Sequence, residues 1–315
     1  MMSGSGLVTL GETMGLITQQ GVGHVHNGEA MRFGMGGSES NVAIGVRRLG
    51  VPATWIGRLG ADPAGRLIRR ELLAEGVEAV AIEDPAATGL MIRWRPSAGR
   101  GHVIYHRRES AGSHLRESDV PEELIAGAAV LHGTGITLAL GSAPAGALTR
   151  AIAVAREAGR TVSFDVNYRR ALWSEADAAA AVNDALGDCD VVFAGLEEAR
   201  ILTGHTDAER AARGLEALGP RQVLITLGER GCLARIDGTA FEVPAPAATV
   251  VDTVGAGDAF VAGYLAELIT GEPAAQRLAS AVSAGALVVT APGDWEGMPD
   301  RQALERHGGG EPVIR

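Results

Sequence analysis

Short apolar runs rich in β-branched residues alternate along this chain with Ala- and Leu-rich stretches of helical length. That alternation restricts the fold more than any other feature. The strand candidates are Leu7–Leu10, Thr54–Ile56, Ala129–His132, Thr161–Phe164, Val191–Phe193 and Val223–Leu227. The helix candidates are Ser40–Leu49, Ala64–Glu75, Pro144–Ala158, Glu175–Leu186, Glu197–Thr203, Ala208–Leu218, Gly257–Ile269 and Ala274–Thr290. Alternation of this kind builds βαβ units, so the expected class is α/β, a three-layer α/β/α sandwich with a mainly parallel central sheet. Two segments, Gly15–Phe33 and Thr88–Arg108, break the rhythm. Leu90–Arg95 and His102–Arg107 alternate apolar with polar residues, the mark of strands with one wet face. Strands from about 12–33 and 88–108 are expected to form a small separate sheet, placed as a lid or a subunit contact. Residues 1–315 read as one domain without internal repeats, and the Gly-rich 306–315 as a frayed tail.

Composition excludes several function classes. A formal charge of −10 argues against a nucleic-acid surface. The densest basic patch, His106-Arg107-Arg108 with Arg93, Arg95 and Arg100, suits the lining of a small anionic pocket better. No apolar run approaches the ~20 residues that span a bilayer, and no cationic stretch precedes Leu7–Leu10, so neither a membrane span nor a signal peptide is expected. Cys189 and Cys232 are far apart and read as buried residues of a reducing compartment, hence the cytoplasm. All 28 basic Lys/Arg positions are arginine. A P-loop and a Schiff-base aldolase both need a lysine, so both are excluded.

The stretch richest in chemistry is Asp252-Thr253-Val254-Gly255-Ala256-Gly257-Asp258-Ala259-Phe260, which opens an apolar helix. Its glycines let bare amides approach an anion, and the helix N-terminus adds partial positive charge at the same spot. Asp258 at the mouth of that helix is expected to be held ionised by those amides and to accept a proton from an attacking hydroxyl. An ordinary helix-capping aspartate fits the same spacing. A dinucleotide fingerprint does not, because its last glycine position is Phe260 and the motif lies late in the chain.

This stretch resembles the C-terminal signature of the ribokinase-like (PfkB) carbohydrate kinases, and the resemblance covers almost the whole chain. Gly36-Gly37-Ser38-Glu39-Ser40-Asn41-Val42-Ala43 is similar to the N-terminal signature, Gly57–Asp62 with Gly65 to the next loop, and Gly228-Glu229-Arg230-Gly231 to the nucleotide loop. Tyr105–Ala111, Asp165-Val166-Asn167-Tyr168-Arg169 with Leu172-Trp173, Gly293–Pro299 and Glu39 resemble the 2-keto-3-deoxygluconate kinases within that family.

The resemblance implies ATP with Mg²⁺ as cofactor and a sugar acid as acceptor; whether K⁺ is required stays open. It implies substrate contacts at Gly36, Gly37, Asn41, Tyr105, Arg107, Arg169 and Asp294, with Asp258 as base. Gly255, Ala256 and Gly257 would bind phosphate. Gly195, Thr226, Gly228, Glu229 and Gly231 would border the nucleotide, with the helix near Ser280–Ala284 as the other wall. Glu198 would organise Mg²⁺ through water. Gly195 departs from the family pattern, standing where an asparagine is usual. An arginine fork suits a carboxylate, although Arg107 on a solvated strand face and Arg169 in a structural ion pair fit the residues equally. Asp165 and Asn167 follow a strand at the sheet edge where ligands bind, and they also suit a simple turn. His24 and His26, read as sharing one strand face, lack a third metal ligand nearby.

The expected reaction is phosphorylation of a primary hydroxyl of 2-keto-3-deoxygluconate. Rivals are a same-fold kinase for fructose, ribose or 5-keto-2-deoxygluconate, a non-catalytic sugar- or nucleotide-binding regulator, and an NAD-dependent dehydrogenase. A homo-oligomer joined partly through the lid is also implied.

Overall fold

The computed structural model describes residues 6–97 and 100–309. Thirteen strands follow in chain order: β1 (Leu7–Leu10), β2 (Met14–Gln19), β3 (Met31–Gly36), β4 (Ala53–Gly60), β5 (Glu78–Asp84), β6 (Leu90–Ser97), β7 (Arg100–His106), β8 (Val130–Thr134), β9 (Thr161–Asp165), β10 (Val191–Gly195), β11 (Gln222–Thr226), β12 (Cys232–Ile236) and β13 (Thr239–Val243). Nine of them form one sheet in the order β13-β12-β11-β10-β9-β8-β1-β4-β5. All neighbours from β11 to β5 pair in parallel, and β11-β12-β13 is an antiparallel meander at one edge.

Successive strand residues point to opposite faces, and the two faces have separate cores. Leu7, Trp55 and Phe193 pack one way, with Tyr264 and the helices Ser38–Arg48, Ala256–Thr270 and Ala274–Val288. Val8, Ile56 and Val192 pack the other way, with the helices Ser142–Glu157, Glu175–Leu186, Leu196–Thr203 and Ala208–Glu216. Three layers result, as the alternation predicts. Cys189 and Cys232 are free and buried in these cores. Among the described residues no helix is long and apolar enough to cross a membrane.

The second sheet has the order β3-β2-β6-β7 and comes from the two alternating segments. His24 and His26 lie in the β2–β3 loop rather than on a strand. The sequence reading did not include β5, β12, β13 or the helices Glu122–Gly127, Gly135–Ala139 and Arg301–Gly309. Residues 306–309, read as tail, are the end of that last helix, and 310–315 lie outside the described residues. The sheet's carboxyl edge places Glu12, Asp165, Gly195 and Thr226 beside the N-termini of the helices Ser38–Arg48 and Ala256–Thr270. Open α/β sheets bind ligands at that edge.

Candidate active site

Glycine builds the turn before the helix Ala256–Thr270. Gly255 is its N-cap at φ 79°, where L-residues are strained, and a Cβ there would collide with the main-chain oxygen of Asp294. Gly257, by contrast, has open space where its Cβ would be. The amides of Gly255 and Gly257, which have no partner among the described residues, border a cleft of about 560 Å³, and that of Ala256 is held at 3.4 Å by the Thr253 carbonyl. Asp165, Asn167, Arg169, Gly195, Glu198, Thr226 and Thr253–Asp258 line it.

Asp258 is the third residue of the helix and caps nothing, so the capping alternative falls. The reading that helix amides hold it is corrected as well. Ser38 Oγ donates to Oδ1 at 2.7 Å, and Asn41 Nδ2 donates to Oδ2 at 2.8 Å. Burial raises its carboxyl above the usual range, while those two hydrogen bonds and Arg169 act in the opposite direction. The net direction is upward, toward an acceptor more basic than a free aspartate, which suits a general base. Asn41, expected on sugar hydroxyls, thus commits its amide nitrogen to the base, and its buried Oδ1 has no protein partner. Asn167 follows β9 with φ 39° and donates to Ser38 Oγ at 2.7 Å and to Asp165 Oδ2 at 3.2 Å.

At the phosphate end, Glu198 is gripped by two main-chain amides, from Gly195 at 2.6 Å and Tyr168 at 2.8 Å. The Asp165 carboxyl is pushed well up by burial and then by the charges of Glu198 and Asp258, with Arg169 opposing. Carboxylates crowded on one cleft wall suit a hydrated divalent ion carried by phosphate. Mg²⁺ keeps several waters, and among the described residues no group of three or more His, Cys, Asp or Glu could hold a metal by itself. Glu198 therefore fits contact through water. Thr226 lines the cleft, whereas Gly228, Glu229 and Gly231 form the next turn, outside that lining. Gly231 is required there at φ 94°, since a Cβ would collide with the Val243 carbonyl. The expected wall at Ser280–Ala284 is also corrected. Ser280, Ala281 and Ala284 are buried, and Ser280 donates to Glu267 Oε1 of the neighbouring helix at 2.9 Å.

At the acceptor end, Gly36 lies against Asp294, whose Oδ2 would be 2.6 Å from an added Cβ, and Gly37 lies equally close to the Glu12 carbonyl. Arg93 of the small sheet donates to Asp294 at 2.9 Å and pairs with Asp252 at 3.3 Å. Arg107 donates to Glu12 at 2.8 Å and sits over the Tyr105 ring at 5.6 Å. Glu12 is fully buried and also accepts the Ser110 hydroxyl. Arg107 is thus an internal ion pair, not a solvated strand residue. Arg169 differs: it is exposed, lines the cleft and joins none of the ion pairs among the described residues. Glu39 does not reach the cleft; buried, it accepts from Thr134 and Thr137, both at 2.7 Å.

Glu12, Ser38 and Ser110 were missed as site residues. An acid directly after the first buried strand is a signal that could have found Glu12. Ser38 gives none, because its partners are 129 and 220 positions away.

The chain matches the family described as pfkB family carbohydrate kinase over residues 5–301. It is 35% identical to the 2-dehydro-3-deoxygluconokinase of Bacillus subtilis (strain 168), covering 94% of this chain and 93% of that one. A 2-dehydro-3-deoxygalactonokinase of Haloferax volcanii is also 35% identical, over 91% and 92%. A fructokinase of Klebsiella pneumoniae is 36% identical, over 86% and 91%. Among solved structures, a putative ribokinase II from E. coli in complex with ATP and Mg²⁺ superposes with a TM-score of 0.89 at 25% identity, over 97% of this chain and 99% of that one. Matched to the family over residues 5–301 and 35% identical to a relative over nearly the whole of both chains, the chain belongs to the PfkB family of carbohydrate kinases.

Proposed function

We propose that this protein transfers the γ-phosphate of ATP to the primary hydroxyl of 2-keto-3-deoxygluconate, giving the 6-phosphate. One observation carries the reading: Asp258 is held by Ser38 and Asn41 beside a glycine turn, Gly255–Gly257, that lines the same cleft. Asp258 takes the hydroxyl proton as that oxygen bonds to phosphorus. The bond to the bridging oxygen breaks, and its electron pair leaves with ADP. Amides of Gly255, Ala256 and Gly257 stabilise the equatorial oxygens. Mg²⁺, when bound with ATP, neutralises charge on the phosphate oxygens, and Glu198 would orient its water. Arg169 is placed to pair with the acceptor's carboxylate. The names of the first two relatives support a sugar acid.

A second reading, a kinase for a neutral sugar such as fructose, draws on the Arg107–Glu12 pair, which leaves one arginine unpaired at the cleft. ATP consumption against 2-keto-3-deoxygluconate, its galactonate epimer, gluconate, fructose and ribose separates the two. Turnover confined to the keto-deoxy acids is expected; turnover with fructose or ribose instead overturns the sugar-acid reading.

The partner is a second copy of the chain. Phe33, Ile17, Ile92 and Ile104 fall in register across one face of the small sheet, with Phe33 and Ile104 exposed. Phe33→Asp should then lower the molar mass measured by light scattering, and an unchanged mass would count against that contact.

A further inference from the structure

We infer that Ser38 and Asn167 are positioning residues that fix the base, with Asn167 setting the direction in which the Ser38 hydroxyl donates. The inference rests on Asp258 as base. Ser38 Oγ lies 2.7 Å from both Asn167 Nδ2 and Asp258 Oδ1. An amide nitrogen donates and cannot accept, so the serine proton has one place to go, the aspartate. The orientation of the Asn167 amide is itself set, because the same nitrogen is 3.2 Å from Oδ2 of Asp165, and a carboxyl group keeps an accepting oxygen in either protonation state. All three of Ser38, Asn167 and Asp165 are under 9% exposed, so water does not compete freely for these bonds.

The backbone supports the same reading. Asn167 has φ 39°, a conformation that costs most residues ~1–2 kcal/mol and that asparagine tolerates better than others. This bend turns the asparagine side chain back to Ser38, and the next amide, Tyr168 N, donates to Glu198. One residue thus ties the base to the carboxylate proposed for the metal water. The charged groups that act on Asp258 are Arg169, Asp165, Glu39 and Asp294. None of them replaces the hydrogen bond from Ser38.

The test is steady-state kinetics of Ser38→Ala, Ser38→Thr, Asn167→Gly and Asp258→Asn across pH, joined to an NMR titration of the Asp258 carboxyl carbon, assigned by its loss in Asp258→Asn. Losing a hydrogen bond to a charged group should lower kcat of Ser38→Ala about tenfold or more, with the KM for ATP unchanged. Its acid limb and the carboxyl titration should both move up by about one pH unit. Ser38→Thr should restore both, and Asn167→Gly, which keeps the backbone bend, should move them part of the way. Wild-type kcat and an unmoved titration in Ser38→Ala overturn the positioning role. Full turnover in Asp258→Asn would overturn the base itself, a separate failure, and the titration stands whichever acceptor proves right.

Discussion

The two ends of the cleft handle charge in opposite ways. At the phosphate end the polar groups face the cleft: Gly257 leaves open space, the Gly255 and Gly257 amides have no partner among the described residues, and Asp165 and Glu198 crowd one wall. At the acceptor end three arginines are already matched by the protein's own carboxylates. Arg93 holds Asp294 and Asp252, Arg107 holds Glu12, and Arg32 holds Glu296. These pairs join the small sheet and its flanking residues to the body, so Arg93 and Arg107 of the basic patch work as fastenings, while Arg95 and Arg108 join none of the ion pairs among the described residues. The arginine that lines the cleft itself is Arg169, which comes from the body and joins none of the ion pairs among the described residues. A count of arginines near a site therefore overstates its attraction for anions.

The largest expected effect separates the two arginines. Arg107→Ala leaves a fully buried Glu12 with the Ser110 hydroxyl as its remaining polar partner, and an unpaired buried charge costs about 3–5 kcal/mol. Urea unfolding should show that loss, and adding Glu12→Gln should recover much of it. Arg169→Ala should leave stability near wild type while the KM for the acid acceptor rises roughly ten- to hundredfold, the worth of a hydrogen bond to a charged group. If Arg107→Ala proves stable and specifically weakens acid binding, the contrast between the two ends collapses.

That contrast marks how far the sequence could be read. Local patterns carried the parallel strands and the glycine turn, because φ > 0 at Gly255 and the helix start are set by neighbours in sequence. The second identity of each arginine was not legible. Arg107 and Glu12 are 95 positions apart, and Arg93 and Asp294 are 201 apart. A carboxylate's partner at that distance depends on strand order, which motif spacing does not encode. Edge strand β5 escaped because its apolar run Ala79–Ile82 is only four residues long, half-buried and closed at both ends by acids. The wall at Ser280–Ala284 is implied by the resemblance alone, and here its small residues pack closely on Gly263.

A somewhat smaller effect concerns pH. The Asp294 carboxyl is pushed up to about 7, first by burial and then by Glu296, Asp258 and Asp252, with Arg93 opposing. Its folded value lies above the ordinary 3.8, so the native state holds the proton more tightly than the unfolded chain. The stability this contributes is complete below pH ~4 and is lost as pH rises toward about 7. At 1.36 kcal/mol per unit the total is roughly 4 kcal/mol at most. Asp294→Asn should remove that slope, so the wild-type and variant Tm curves should change their separation between pH 4 and 7 and run parallel above it. Curves parallel throughout would show that the fastening at the acceptor end titrates nowhere in this range.

The smallest effect probes the phosphate end at Gly195. A Cβ there would meet Glu198 Oε2 at 3.4 Å and Thr226 Oγ1 at 3.9 Å, ordinary contacts, and its φ of −72° strains no residue. The position caps the helix Leu196–Thr203, and Asn exceeds Gly as an N-cap by only a few tenths of a kcal/mol. Glu198 is already fixed by the Gly195 amide, a bond that any residue at this position would keep. Gly195→Asn should therefore raise Tm by about a degree and change the KM for ATP less than threefold, since ~0.6 kcal/mol or less is at stake. A tenfold fall in that KM would mean that the main-chain amide is a poor stand-in for the side chain, and that the phosphate end, not the acceptor end, is where this chain departs most from its relatives.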